Sequence, residues 1–391
     1  MRELSRRLMR MPTSATMAVN DKAKALKAEG HDVIALAGGD PDFDTPAHIV
    51  EAALAAIHAG QTHYPSPTKG TNDLLAAIAE KMVRDHGVHV KYQSDIVVTP
   101  GSKWALNLAL AAVVNPGDEV LYLEPVWVSY PPMIRLVGGE PVPINLSPED
   151  NFRITAEAIR EKVTPKTKAI MVNSPNNPTG RVLDRAEVKA IVDVAIEADL
   201  FVISDEVYEK LIYDDREHYA LVSEEGMAGR TLTINGLSKG YAMTGWRLGW
   251  LVGPTAIMKL AAKMNSQTVT SAATFTMAAA VAALNGPQDV VEEMRLAYQD
   301  RRNFMVKALN EIDGIVCAMP DGAFYLMPRF VNTTHNSLQL ANALLDQCGI
   351  AATPGVAFGL SGEGHLRFSY ATSMDELERA VERLSTGVSQ L

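Results

Sequence analysis

Lys168-Ala169-Ile170-Met171-Val172-Asn173, then Ser174-Pro175-Asn176-Asn177-Pro178-Thr179-Gly180, then a helical stretch over Arg185–Ala198, then Leu200-Phe201-Val202-Ile203-Ser204: this passage decides the fold. Both apolar runs are short and apolar on both faces, as strands between two helix layers must be. Strand, helix and strand in this order make a parallel crossover. The same rhythm extends outward. Further apolar runs lie at Asp95–Thr99, Glu119–Leu123, Thr231–Asn235 and Leu248–Val252, with helix patterns at Lys103–Val114 and Pro254–Met264. The fold is read as α/β, a mostly parallel sheet flanked by helices. The polar link from Asn235 to Leu248 is too short for a helical crossover, so one strand there is expected to run antiparallel.

The ends read differently. Ser5–Arg10 and Asp21–Glu29 look helical, and Val33–Leu36 looks like a strand leading into Gly38-Gly39-Asp40-Pro41. Asp289–Ile312 fits one long amphipathic helix, followed by strand-like Ala323–Met327 and His365–Ser369 and a last helix, Met374–Leu384. A chain of 391 residues exceeds one ordinary core. The expected division is an N-terminal arm with part of a small domain (1–46), a large domain (47–286) and a small α+β domain (287–391). The turn tripeptide Asn285-Gly286-Pro287 marks the second boundary.

A net charge of -10 argues against nucleic acid and anionic membranes. The basic Met1–Arg10 segment has no apolar run behind it and does not read as a secretory signal. No stretch reaches the length of a membrane span, and the expected home is the cytoplasm. Cys317 and Cys348 lack metal-like spacing and read as reduced and buried. His86 and His89 flank a Gly-Val turn and read as loop residues, with no metal expected.

Ligands of such sheets sit at the carboxyl ends of the strands, so the residues after each apolar run matter most. After Thr99 come Gly101, Ser102 and Lys103 at a helix start, either a phosphate seat or a plain turn with a capping serine. After Asn173 comes the stiff Pro175–Gly180 loop carrying Asn176 and Asn177, either a surface turn or a rigid amide that can bond a phenolic oxygen or a carboxylate. After Ser204 come Asp205, Glu206 and Tyr208; a carboxylate there needs a partner, a protonated pyridine nitrogen or a structural arginine. After Asn235 come Ser238 and Lys239, and a lysine in a pocket is costly unless bonded or neutralised. Arg247 offers a planar fork for phosphate or for a surface ion pair. Phosphate turn, amide loop, acid, lysine and arginine on successive strand ends are the parts that hold pyridoxal 5'-phosphate.

Over nearly its whole length the chain resembles the class I aminotransferases of fold type I, in their bacterial aspartate aminotransferase-like subgroup. The resemblance is carried by Ser14-Ala15-Thr16, Gly39–Pro46, Pro175–Gly180, Ser204–Tyr208, Ser238–Arg247 and Arg367–Ala371. It implies a covalent bond between Lys239 and the cofactor, with Lys239 later shuttling the proton. It pairs Asp205 with the ring nitrogen, sets Asn177 and Tyr208 on the phenolic oxygen, and stacks Trp127 on the ring. Gly101, Ser102, Lys103, Ser238 and Arg247 surround the phosphate. Arg367 clamps the substrate α-carboxylate beside Asn177 and Gly39, with Ser14 and Trp127 lining the substrate side. Tyr64 reaches the phosphate of a neighbouring subunit, which implies a homodimer.

No arginine occurs between Arg247 and Arg295, where some aspartate-specific relatives carry one for the second carboxylate. Lys103 falls where this subgroup has a lysine for that purpose, favouring aspartate or another acidic donor with a 2-oxo acid such as 2-oxoglutarate as acceptor. Trp104 stands where a polar residue is expected, so an aromatic or broad-specificity aminotransferase is the alternative, followed by a lyase or decarboxylase on the same scaffold. A regulator would need a DNA-binding module for which there is no basic patch. A dinucleotide enzyme would need a Gly-x-Gly-x-x-Gly turn, which is missing.

Overall fold

Seven segments form one sheet in the computed structural model, which describes residues 4–9, 11, 13 and 15–387. They are β1 (Ile96–Thr99), β2 (Glu119–Glu124), β3 (Glu140–Asn145), β4 (Thr167–Asn173), β5 (Phe201–Asp205), β6 (Thr231–Gly236) and β7 (Gly249–Val252), in the order β1-β7-β6-β5-β4-β2-β3. The pairs β3–β2, β2–β4, β4–β5 and β5–β6 are parallel. Only β7 opposes its neighbours, β6 and β1, as the short polar link before it requires.

The main helices are α1 (Ala47–His58), α2 (Asn72–His86), α3 (Ser102–Val113), α4 (Arg185–Glu197), α5 (Thr255–Thr268), α6 (Thr274–Asn285), α7 (Asp289–Asn310) and α8 (Met374–Gly387). The sheet is buried on both faces because its strands are apolar on both. Val97 packs with α3 and α5, whereas its neighbours Ile96 and Val98 pack with α1, α2 and α6 on the other side. Further along, Met171 faces the α3 side while Ile170 and Val172 face α4. Among the elements that escaped the sequence reading, such as α1 and α2, two did so for plain physical reasons. Strand β3 carries Pro141 and Pro143 and is an edge strand, where a missing donor is tolerated. Helix α6 is apolar nearly all round, so it shows no helical period, and it is buried between α1 and α2.

The two ends of the chain meet. Ile34–Ala35 pairs in parallel with Ile350–Ala351. Leu366–Ser369 runs antiparallel to both Tyr325–Leu326 and Thr353–Pro354. Helix α8 buries Leu377, Ala380 and Leu384, the one-face spacing that makes it amphipathic. Both cysteines are free and buried. Among the described residues no helix is long and apolar enough to cross a membrane.

Helix α4 starts on a capping box. The Asp184 carboxylate accepts from the Glu187 amide (2.8 Å), and the Glu187 carboxylate accepts from the Asp184 amide (3.1 Å). Glu187 is fully buried because Arg181 grips it with two nitrogens, at 2.8 and 2.9 Å, and the Ile154 amide donates to it at 2.9 Å. Arg181 directly follows the Pro175–Gly180 loop, so this pair ties that loop to the helix. Glu187→Ala strands the largely covered guanidinium of Arg181 and should destabilise the protein by about 3 kcal/mol. Urea unfolding checks this, and a midpoint equal to wild type would contradict it.

Candidate active site

The register of the sheet collects the site. Asn173 ends β4 beside Asp205 at the end of β5, and Asp205 lies beside Ile234 on β6. The Asn173 amide donates to the Asp205 carbonyl (2.9 Å) and its oxygen accepts from the Asn177 amide (2.8 Å), so one strand end fixes the next loop. Above these ends lies a cavity of about 560 Å³.

One wall is built around the start of α3. Gly101 precedes the helix with φ +90°, and a Cβ there would stand 2.5 Å from Nη2 of Arg247. Only glycine lets that guanidinium approach the turn. No side chain caps the helix, because the Ser102 hydroxyl donates to the Asn235 carbonyl (3.0 Å) across the sheet. The expected capping serine is therefore a strand tie, and the cap position belongs to Gly101. Uncapped amides beside an arginine make a seat for phosphate. Ser238 and Lys103 line the same wall.

Lys239 is half-buried in the chain, and its ammonium donates to the Gly39 carbonyl. Burial, with Arg367 and Arg247 nearby, lowers its pKa to about 8. Asp205 is buried opposite, accepting from the Tyr130 hydroxyl at 2.7 Å. Desolvation raises its pKa to about 6, against those bonds. The Tyr208 and Tyr325 hydroxyls lie 2.9 Å apart. Tyr325 also explains Gly39, where a Cβ would come within 2.8 Å of its hydroxyl.

Arg367 is the most revealing side chain. It is 2% exposed, and among the described residues no carboxylate pairs with it. Its fork donates to Asn177 Oδ1 (3.1 Å) and the Ala37 carbonyl (2.6 Å), and it lies over the rings of Tyr325 and Phe358, at 4.4 and 5.0 Å from the ring centroids. Its Nε is buried without a partner. A guanidinium so placed calls for an anionic ligand.

The cavity thus brings together Gly39, Ser102, Lys103, Trp127, Asn177, Asp205, Tyr208, Ser238, Lys239, Arg247 and Arg367. Gly101 touches it through Arg247. Tyr64 does not line it and is 81% exposed. Ser14 lies outside the described residues. Trp104, expected to alter the pocket, turns away, and its Nε1 donates to Asn265 on α5 at 2.9 Å. One residue along a helix rotates the side chain by about 100°, so Lys103 lines the cavity and Trp104 packs, half-buried, against the core beside α5. Sequence reading missed Tyr130, Asn173 and Tyr325. A polar residue closing an apolar strand could have revealed Asn173; Tyr325, from a distant segment, gives no local signal. His86 is also corrected: it closes α2, its side chain is 3% exposed, and Gly87 is the left-handed cap after it. With Glu209 and His218 it forms the one group among the described residues whose ligand atoms lie close enough to hold a metal ion.

The donors fit pyridoxal phosphate: a seat for its phosphate, a buried acid for its ring nitrogen, hydroxyl and amide groups for its phenolic oxygen, and an amine for its aldehyde. The buried acid also carries a testable cost. An ordinary carboxyl titrates near 4 when unfolded, so the Asp205 penalty is absent at low pH, grows between about pH 4 and pH 6 and is constant above that. It reaches on the order of 3 kcal/mol by pH 8. In cofactor-free protein, Asp205→Asn should therefore melt roughly 3 °C higher than wild type at pH 8 and show no gain at pH 4. Calorimetry at both pH values decides, and a lower melting temperature at pH 8 would contradict it.

The family described as aminotransferase class I and II matches residues 31–384. The chain is 39% identical to an aspartate aminotransferase of Geobacillus stearothermophilus, over 98% of each chain. It is 40% identical to an aromatic-amino-acid aminotransferase of Thermococcus litoralis, over 97% of each. The solved structure of the aspartate aminotransferase from Thermus thermophilus with maleate matches with a TM-score of 0.94 and 42% identity, over 99% of this chain and all of that one. The chain belongs to the class I and II aminotransferases, pyridoxal-phosphate enzymes of fold type I that move an amino group between an amino acid and a 2-oxo acid.

Proposed function

We propose that this aminotransferase takes an acidic amino donor, aspartate foremost, and passes its amino group to a 2-oxo acid such as 2-oxoglutarate. The observation that carries the reading is a cation in the cavity beyond Arg367, Arg247 and Lys239. Lys103 lines the same space, its ammonium lies 4.9 Å from the Trp127 ring, and no described carboxylate pairs with it. Arg367 and Lys103 suit two carboxylates. Relatives named for aspartate support the reading. The aromatic alternative rests on the apolar surface of Trp127, Leu106 and Tyr325 in the same cavity and on the aromatic-acid relative. The relatives compared are aminotransferases, so a lyase or decarboxylase has no support.

When bound, pyridoxal phosphate supplies an aldehyde that captures amines and a ring that takes up electrons from the substrate α-carbon. Arg367 and Asn177 hold the α-carboxylate and so fix which α-carbon bond lies in line for cleavage. Lys239, with its pKa near 8, is partly unprotonated at neutral pH and serves as the base that takes and returns the α-proton. Asp205, steadied by Tyr130, would keep a proton on the ring nitrogen. Tyr208 and Asn177 would donate to the phenolic oxygen, and Trp127 would cover the ring. Gly101, Ser102, Ser238, Arg247 and Lys103 would hold the phosphate, with Lys103 also reaching the distal carboxylate.

Tyr64, exposed in the single chain, serves a neighbouring subunit's phosphate in a homodimer. The proposal also gives Ser14, which lies outside the described residues, a place on the substrate side. The division into 1–46, 47–286 and 287–391 and a cytoplasmic location complete the proposal.

Lys103→Ser should lower kcat/KM for aspartate and glutamate about 10–100-fold more than for phenylalanine, the worth of a charge-assisted hydrogen bond. Steady-state assays of the three donors test this. Equal losses would favour the aromatic or broad reading.

A further inference from the structure

Behind the cavity lies a second polar cluster that the reaction does not use. Asp205 and Glu206 are consecutive at the end of β5, and the chain then turns through Glu209 and Lys210. Asp205 and Tyr208 face the cavity. Glu206 and Glu209, which do not line it, are buried in the cluster. Glu206 accepts from the Ser204 hydroxyl at 2.8 Å and lies 3.1 Å from Nε2 of His218. Glu209 lies 2.6 Å from the ammonium of Lys81 and 3.0 Å from Nε2 of His86, both on α2.

Lys81 is 1% exposed. Its ammonium also lies 3.3 Å from Nε2 of His86 and 3.3 Å from Asp85, which in turn pairs with Lys210 at 2.8 Å. His86, Glu209 and His218 are close enough to hold a metal ion. The ammonium of Lys81 already meets two of them, so the cation of this cluster is the protein's own.

Such a cluster is expensive to bury and gives little net stability over an apolar core. What it does supply is fixed geometry. Glu206 and Glu209 alternate along one short segment with Asp205 and Tyr208, and their partners sit on α2 and on the loop that carries His218. We infer that the pairs Glu206–His218 and Glu209–Lys81 are a buried clamp that sets Asp205 and Tyr208 from behind, and that His218 is a positioning residue for the cofactor-facing acid. This rests on the roles given above to Asp205 and Tyr208.

The test compares His218→Leu, which leaves Glu206 with the Ser204 hydroxyl but no imidazole partner, with His218→Asn, which keeps an amide able to donate to it. Glu209→Gln is the second probe, and Asp205→Asn is the control. The readouts are Kd for pyridoxal phosphate by equilibrium dialysis, the absorption maximum of the bound cofactor, and the melting temperature. His218→Leu and Glu209→Gln should raise Kd about tenfold or more and move the absorption maximum, and His218→Asn should restore most of both. Should His218→Leu fail to fold, Glu209→Gln decides by the same Kd criterion. Folded variants with Kd within about twofold of wild type and an unmoved absorption maximum would overturn the inference. If Asp205→Asn shifts Kd and absorption while the clamp variants do not, only the clamp fails. If Asp205→Asn also changes nothing, the role given to Asp205 fails with it.

Discussion

A guanidinium with no carboxylate of its own, sealed at the carboxyl ends of a parallel sheet, is the constraint on which the rest of the site depends. Arg367 meets only carbonyls, an amide oxygen and two aromatic faces. Lys239, a short distance across the cavity floor, meets a backbone carbonyl. Opposite them Asp205 is a carboxylate kept from water with hydroxyl and amide donors alone. Charges buried this way destabilise the free protein, and a ligand carrying carboxylate, phosphate and a ring cation relieves all of them at once. The fold tolerates the arrangement because the sheet beneath is apolar on both faces and clamped between helices.

Much of this could be read from the chain. Runs such as Leu200–Ser204, apolar on both faces, require a sheet between helices, and the short polar link before Leu248 requires the antiparallel strand. The residues after each run then fall on one rim, which is why Lys239, Asp205, Asn177 and Arg247 could be named from sequence. The rest depended on contacts between distant segments. Tyr325 reaches the cavity, and Phe358 the guanidinium of Arg367, from far along the chain, and no local pattern marks them. The two prolines of β3 read against a strand until its edge position is known. His86 read as a loop residue because Gly87 follows it, yet that glycine ends the helix after His86. Trp104 looked like a pocket residue because it adjoins Lys103, and the helical turn between neighbours sends them apart.

Positioning recurs at three depths. The strand register aligns Asn173 with Asp205. The Arg181–Glu187 pair ties the loop that carries Asn177 to α4. The polar cluster around Lys81 lies behind the segment that carries Asp205 and Tyr208. A cofactor enzyme needs such support because its chemistry is the cofactor's, and the protein's part is to fix groups to within a fraction of an ångström.

The central claim is that the side chain of Lys239 bonds the cofactor. Borohydride reduction of the holoprotein, followed by peptide mapping, measures this most directly. The account predicts one pyridoxyl label per chain, on Lys239. A label on another lysine, or none, would contradict it.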